Sequence, residues 1–247
     1  MLKSMIIAFS TYSRIPMPKI TWEKRSMKYS MCFFPVVGLV IGLCCMGIFL
    51  GMEAAGFGKN LKAAVLTALP ILLTGGIHMD GFLDTIDAKS SYQPKEKRLQ
   101  ILKDPHTGAF AIIYGIVYLL LSFGLFSEVH FKAMPFVALG YVFSRILSGL
   151  SVTVLKKAKK EGMAASCAEA SGKQVKWILI AELVLCIAGY FWMHPIYGGS
   201  CILAGLGCFF YYRRMAYRIF GGITGDLAGY FLQLCELLIL AVVVLEV

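Results

Sequence analysis

The stretch Gly75–Phe110, GGIHMDGFLDTIDAKSSYQPKEKRLQILKDPHTGAF, sets three carboxylates, Asp80, Asp84 and Asp87, directly beside a long apolar segment. At about 100° per residue, steps of four and seven place all three on one helical stripe. Like charges at this spacing repel, so a bare stripe destabilises its own helix. A hard divalent cation reverses the sign of that effect, because carboxylate oxygens are the ligands Mg²⁺ prefers. The stripe is a candidate metal site.

Outward from it, the chain is unusually apolar. Of its 247 residues 58% are hydrophobic and 15% charged, against about 25% charged in soluble domains. Mean hydropathy is +0.74. These values predict an all-α integral membrane protein. Seven apolar segments are candidate membrane helices, at roughly 29–51, 61–78, 108–127, 133–155, 176–193, 196–211 and 227–246, most of them near the ~20 residues a crossing needs. Pro35 and Pro70 fall inside the first two, where kinks are expected. The expected organisation is a single polytopic membrane domain over 1–247. Residues 1–28 form a cytoplasmic or interfacial N-terminal segment, and 79–107 form a cytoplasmic acidic catalytic loop. The short run Met5–Phe9, interrupted by Tyr12, Ser13 and Arg14, is not a signal peptide; it lies at the interface or folds back over a site.

The net charge of +10 follows orientation in a membrane rather than nucleic-acid binding. Twenty of the 24 basic residues fall in alternate gaps between the apolar segments, three (Lys59, Lys62, Lys132) in the opposite gaps, and Arg145 within a segment. This is the positive-inside pattern. It predicts a multi-pass protein of a bacterial or archaeal cytoplasmic (inner) membrane, with the N-terminus and the acidic stripe on the cytoplasmic side. KKAKK at 156–160 reads as a juxtamembrane anchor, with an anionic ligand or membrane lipid as its other possible partner. Seven of the eight cysteines lie in apolar segments without C-x-x-C or zinc spacing, as small core hydrophobes do.

Five carboxylates fall on the same expected face: the stripe, Asp104 in KDPHTG, and Asp226 at the end of GGITGD. Gly221, Gly222 and Gly225, with Thr224, offer a phosphate cradle at a helix start. For Asp226 alone, N-capping is an equally simple role. Carboxylates, a metal, glycine turns and cations together suggest phosphate transfer, the metal neutralising charge on the leaving group. Among Asp80, Asp84, Asp87 and Asp104, one carboxylate would accept the proton of an attacking hydroxyl. Arg14, Lys103 and His106 are candidate contacts to phosphate oxygens. Arg145 and Glu236 lie at matching depth, roughly 15 Å below the face, and are expected to pair; a rival reading sends Arg145 up to the bound phosphates. Glu182 is expected to snorkel to the interface.

GGIHMDGFLDTIDA, the basic helix after it, KDPHTGAF, GGITGD and the N-terminal YSRIPMP together resemble the cobalamin-5′-phosphate synthase family, the adenosylcobinamide-GDP ribazoletransferases, in motif order over essentially the full length. The resemblance implies a Mg²⁺-dependent enzyme joining adenosylcobinamide-GDP to α-ribazole or its 5′-phosphate and releasing GMP. It implies metal binding by Asp80, Asp84 and Asp87, with Asp226 contributing, and is compatible with a homo-oligomer or a complex with other cobalamin-assembly enzymes. Two positions depart from the family pattern: Asp104-Pro105-His106 stands where many members have D-S-R, and Ala88 where many have Gly. A CDP-alcohol phosphotransferase fits less well, since Leu83-Asp84 occupies the place of its Ala-Arg. A metal- or proton-coupled transporter would place acids deep in several helices. A non-catalytic assembly subunit would leave the stripe without a purpose.

Overall fold

The computed structural model describes residues 1–159, 167 and 169–246. Among these the architecture is all-helical: α1 (Leu2–Tyr12), α2 (Lys24–Met27), α3 (Phe34–Ala54), α4 (Lys59–Thr74), α5 (Ile77–Ser90), α6 (Lys95–Ile101), α7 (Ala109–Glu128), α8 (Met134–Val154), α9 (Lys173–Met193), α10 (Pro195–Met215) and α11 (Gly225–Glu246). Seven long helices occupy the seven apolar segments. Five of them (α3 with its preceding turn, α7, α8, α9 and α11) are each long and apolar enough to cross a membrane, and α4 with α5 makes a sixth if the bent pair is one span. The sequence reading of seven exceeds this count because α10, rich in glycine and tyrosine, is long but less apolar, and α4 alone is only 16 residues.

Two expectations are corrected locally. Pro35 does not kink a continuous helix. A 3₁₀ turn over Ser30–Phe33 precedes α3, and Pro35 lies in the first turn of α3, where its missing N–H costs nothing. Nor is 79–107 a loop. The apolar segment breaks at Gly75 and Gly76, both at positive φ (+64° and +78°), conformations glycine adopts freely. The chain turns by 94° there and continues as α5, then α6. With four charged residues in 14, α5 is read as an arm beyond the break, outside the membrane-spanning segments.

Small residues set the bundle's tightest crossings, as expected where helices associate without a hydrophobic drive. A Cβ at Gly42 would come within 2.6 Å of the Ala138 carbonyl oxygen on α8, and one at Gly81 within 2.8 Å of the Asp226 carbonyl oxygen. The second crossing brings the acidic helix against the start of α11. Depth is closed by the pair foreseen from sequence: Arg145 Nη1 donates to Glu236 Oε1 at 2.6 Å and to the Tyr141 carbonyl at 2.9 Å. Ser144 Oγ donates to the same glutamate oxygen at 2.9 Å. Arg145 is 1% exposed, so its charge is spent inside the bundle.

Candidate active site

Asp80, Asp84 and Asp87 lie on α5, and α5 is wedged between α11 and α7 by the Gly81 crossing and by Phe82, whose ring lies 5.6 Å from Tyr230 and 5.3 Å from Tyr118. Asp80 is exposed and shares with Asp226 a cavity of about 250 Å³, also lined by Tyr12, His78, Ser148 and Gly225. Asp84 is half-buried. Burial, then the charges of Asp80, Asp226 and Asp87, push its carboxyl up to about 6. No cation balances this set at contact distance: none of Asp80, Asp84 and Asp226 has an ion pair within 4 Å among the described residues.

Asp226 is free for chemistry because its neighbour does the capping. Thr224 Oγ1 accepts from the Leu227 N–H at 3.2 Å, the bond an N-cap side chain makes to the third helical residue, and its hydroxyl also reaches Asp226 Oδ2 at 3.3 Å. Thr224 and Gly222 are thus buried structural parts of the turn, while Gly225 is exposed at its mouth. Gly222 is pressed onto the backbone of Lys156–Ala158.

Asp87 differs from its stripe partners. Its Oδ2 accepts from the Gly108 N–H at 2.6 Å and its Oδ1 from the Ala111 N–H at 2.8 Å, so it caps α7, a service Gly108 cannot perform for itself. Asp104 is likewise occupied: it accepts from the His106 backbone N–H at 3.0 Å and lies 2.8 Å from the His106 Nδ1. The two bonds to His106, backbone first, hold the Asp104 carboxyl below its ordinary value. Both Asp104 and His106 are exposed, as is Lys103.

Arg14 sits at the break between α4 and α5. Its N–H donates to the Leu73 carbonyl at 2.7 Å, and its side chain lies where a Cβ on Gly75 would be. The N-terminal segment therefore folds back over the site, α1 burying Ile6, Ile7 and Phe9 behind it.

Two candidates escaped the sequence reading. The first lies in KKAKK, whose sequence reads as an anchor or an anionic-ligand contact: residues 156–158 form a short parallel pairing with Ile223, the Ala158 N–H donating to the Ile223 carbonyl and the Ile223 N–H to the Lys156 carbonyl, each at 2.9 Å. Lys159 thereby reaches the field of Asp226; burial lowers its pKa, Lys103 adds to that, and Asp226 opposes it. Lys160 lies outside the described residues. The second is His78, 5% exposed, packed against the paired rings of Tyr12 and Phe34 with no partner for Nε2. Burial, then the charge of Arg145, lowers its pKa, so it faces the cavity as a neutral imidazole. The backbone pairing of 156–158 with Ile223 had no sequence signal. His78, two residues before Asp80, could have been found by asking what a histidine does at the start of an acidic stripe.

Among the described residues no three His, Cys, Asp or Glu side chains converge closely enough to hold a metal ion. The donor set nonetheless fits one: hard oxygen ligands of like charge, without an ion pair within 4 Å among the described residues, on two elements in close contact at Gly81, with Asp80 exposed.

The profile of the cobalamin-5-phosphate synthase family matches residues 4–244. The chain belongs to this family. It is 49% identical over 251 residues to the adenosylcobinamide-GDP ribazoletransferase of Lachnoclostridium phytofermentans, covering 99% of this chain and 95% of that one. It is 33% identical to the enzyme of the same name from Desulfitobacterium hafniense, over 97% and 95% of the two chains, and 34% identical to that of Pseudomonas entomophila, over 87% of each. No solved structure matches it. The chain is a membrane transferase of cobalamin synthesis, and the readings as transporter, CDP-alcohol phosphotransferase or non-catalytic subunit are set aside.

Proposed function

We propose that the chain transfers the adenosylcobinamide-phosphate group of adenosylcobinamide-GDP to α-ribazole or its 5′-phosphate, releasing GMP, in a Mg²⁺-dependent reaction. The observation that carries the site assignment is the uncompensated carboxylate set formed by Asp80, Asp84 and Asp226 around the Gly81 crossing.

Mg²⁺ is usually held by one or two carboxylates together with substrate phosphates and water. Asp80 and Asp226, which face one cavity, would hold it. A cation held there would supply positive charge to offset that developing on the departing GMP. Asp84 then has a separate role. The ribazole hydroxyl attacks the phosphorus attached to cobinamide, the bond from that phosphorus to the bridging oxygen of GMP breaks, and Asp84 takes the hydroxyl proton. Burial is the largest cause of its raised pKa, which makes it a stronger base than an ordinary aspartate while it remains mostly ionised at pH 7. Lys159 and Arg14 supply positive charge beside the phosphates, and His78 offers a neutral ring nitrogen to substrate in the cavity. Asp87, Thr224 and Gly222 position the acid-bearing helices. The basic face carrying this site is read as the cytoplasmic face of a bacterial or archaeal membrane.

The test is GMP release by lipid-reconstituted protein supplied with both substrates and Mg²⁺. Release that requires both substrates, stops with EDTA and falls by about 10²–10⁴-fold in Asp84→Asn supports the proposal. A folded Asp84→Asn protein that releases GMP at the wild-type rate overturns the role given to Asp84, and metal-independent release overturns the Mg²⁺ requirement.

A further inference from the structure

The face of α5 opposite the carboxylates lines a different place. Counting about 100° per residue, Lys89 stands about 180° from Asp80, with Phe82 and Ile86 beside it. There two chambers meet. One, of about 650 Å³, lies between α5, α7 and α11 and is lined by Phe82, Ile86, Val117, Leu121, Leu234 and other apolar side chains. The second, of about 600 Å³, carries Lys89, Lys95, Arg98, Arg214 and Arg218. Lys89, Arg98 and Ile219 line both.

The five cations have no carboxylate within 4 Å among the described residues. Two are held in place by neutral groups: Lys89 Nζ donates to Tyr211 Oη at 2.8 Å and lies over the Tyr211 and Tyr230 rings, and Arg98 Nε donates to the Gln93 carbonyl at 2.5 Å. Lys95 is laid against Gly221, whose positive φ and missing side chain leave it room. Val117 and Leu121 of α7 line the apolar chamber and are also exposed on the outside of the bundle, on a helix apolar enough to cross a membrane.

We propose that these joined chambers bind one anionic glycerophospholipid, its phosphodiester headgroup among Lys89, Lys95, Arg98, Arg214 and Arg218 and an acyl chain in the slot between α5, α7 and α11. The charge of the second chamber selects an anionic headgroup over a zwitterionic one, and the apolar slot joined to it selects an amphiphile over a soluble anion. The site is separated by the body of α5 from the carboxylates, so a diphosphate seated here could not meet the cation they would hold. The inference does not rest on the proposed reaction, because lipid retention is read without turnover.

The experiment is native mass spectrometry of the full chain purified in mild detergent and titrated with phosphatidylglycerol or phosphatidylcholine. Wild type should retain one phosphatidylglycerol in preference to phosphatidylcholine. Arg98→Gln/Arg214→Gln/Arg218→Gln should lower that retention on the order of tenfold, and so should Val117→Trp, which fills the slot and leaves every charge in place. Lys132→Gln, an exposed basic residue before α8, should leave it unchanged. Equal retention of the two lipids, or wild-type retention by both the triple variant and Val117→Trp, would overturn the proposal. Displacement of the lipid by millimolar GMP would overturn it too, by assigning the chamber to a nucleotide.

Discussion

Two groups of charges lie within one bundle and are treated in opposite ways. At depth, Arg145 and Glu236 pair with each other, and Ser144 and the Tyr141 carbonyl add hydrogen bonds to the pair. At the rim, Asp80, Asp84 and Asp226 have no ion pair within 4 Å among the described residues and lie in one another's fields, with Lys159 the one cation acting on Asp226. A charge neutralised by protein is structural; a charge left short of a counter-ion waits for a ligand. Asp87 sits on the structural side of that line although it belongs to the same stripe as Asp80 and Asp84, because the N-terminus of α7 already uses both its oxygens.

The comparison breaks first at depth. Arg145→Met should cost about 3–5 kcal/mol, since it strands a buried carboxylate. Thermal unfolding in detergent should show the loss, and Arg145→Met/Glu236→Met should recover much of it. A single variant as stable as wild type would mean that the pair is not what closes the bundle. At the rim the effects on folding are smaller. Asp87→Asn should cost about 1 kcal/mol, the scale of a lost helix cap, and lower the unfolding midpoint. An unchanged midpoint would place Asp87 with the free carboxylates.

A smaller effect separates the groups by pH. The folded pKa of Asp84, about 6, lies above the ordinary carboxyl value of about 4. Its contribution to stability is therefore full below that ordinary value and is lost as pH rises through about 6. Without divalent metal, this group should make the unfolding midpoint fall between about pH 4 and pH 6, and Asp84→Asn should flatten that fall. An equal fall in the variant would assign the titration to other groups.

Much of this was legible in the sequence because the decisive signals are local. Hydropathy placed all seven long helices within about five residues of their ends, with α3 and α4 the most displaced, and matching depth paired Arg145 with Glu236. Motif order gave the family. What the sequence hid was which groups are used up. Asp87 looks like Asp84 until α7 folds back onto it, Thr224 looks incidental until it caps α11 in place of Asp226, and KKAKK looks like an anchor until its backbone pairs with Ile223. The first and last depend on contacts between segments distant in the chain, which periodicity does not encode, and the Thr224 cap depends on the residue at which the helix begins. The break at Gly75-Gly76 was visible as two glycines, but its consequence, a 94° turn that converts an expected loop into an acidic arm, follows only once both adopt positive φ.

The most direct test of the division between free and spent carboxylates is Mn²⁺ binding, followed by electron paramagnetic resonance on purified wild type, Asp80→Asn, Asp226→Asn and Asp87→Asn. If Asp80 and Asp226 hold the cation, their variants should weaken Mn²⁺ binding by about tenfold or more, the cost of about 1.4 kcal/mol or greater, while Asp87→Asn stays within about twofold of wild type. Weakening by Asp87→Asn as great as that by Asp226→Asn, or wild-type affinity in all three variants, would contradict the account.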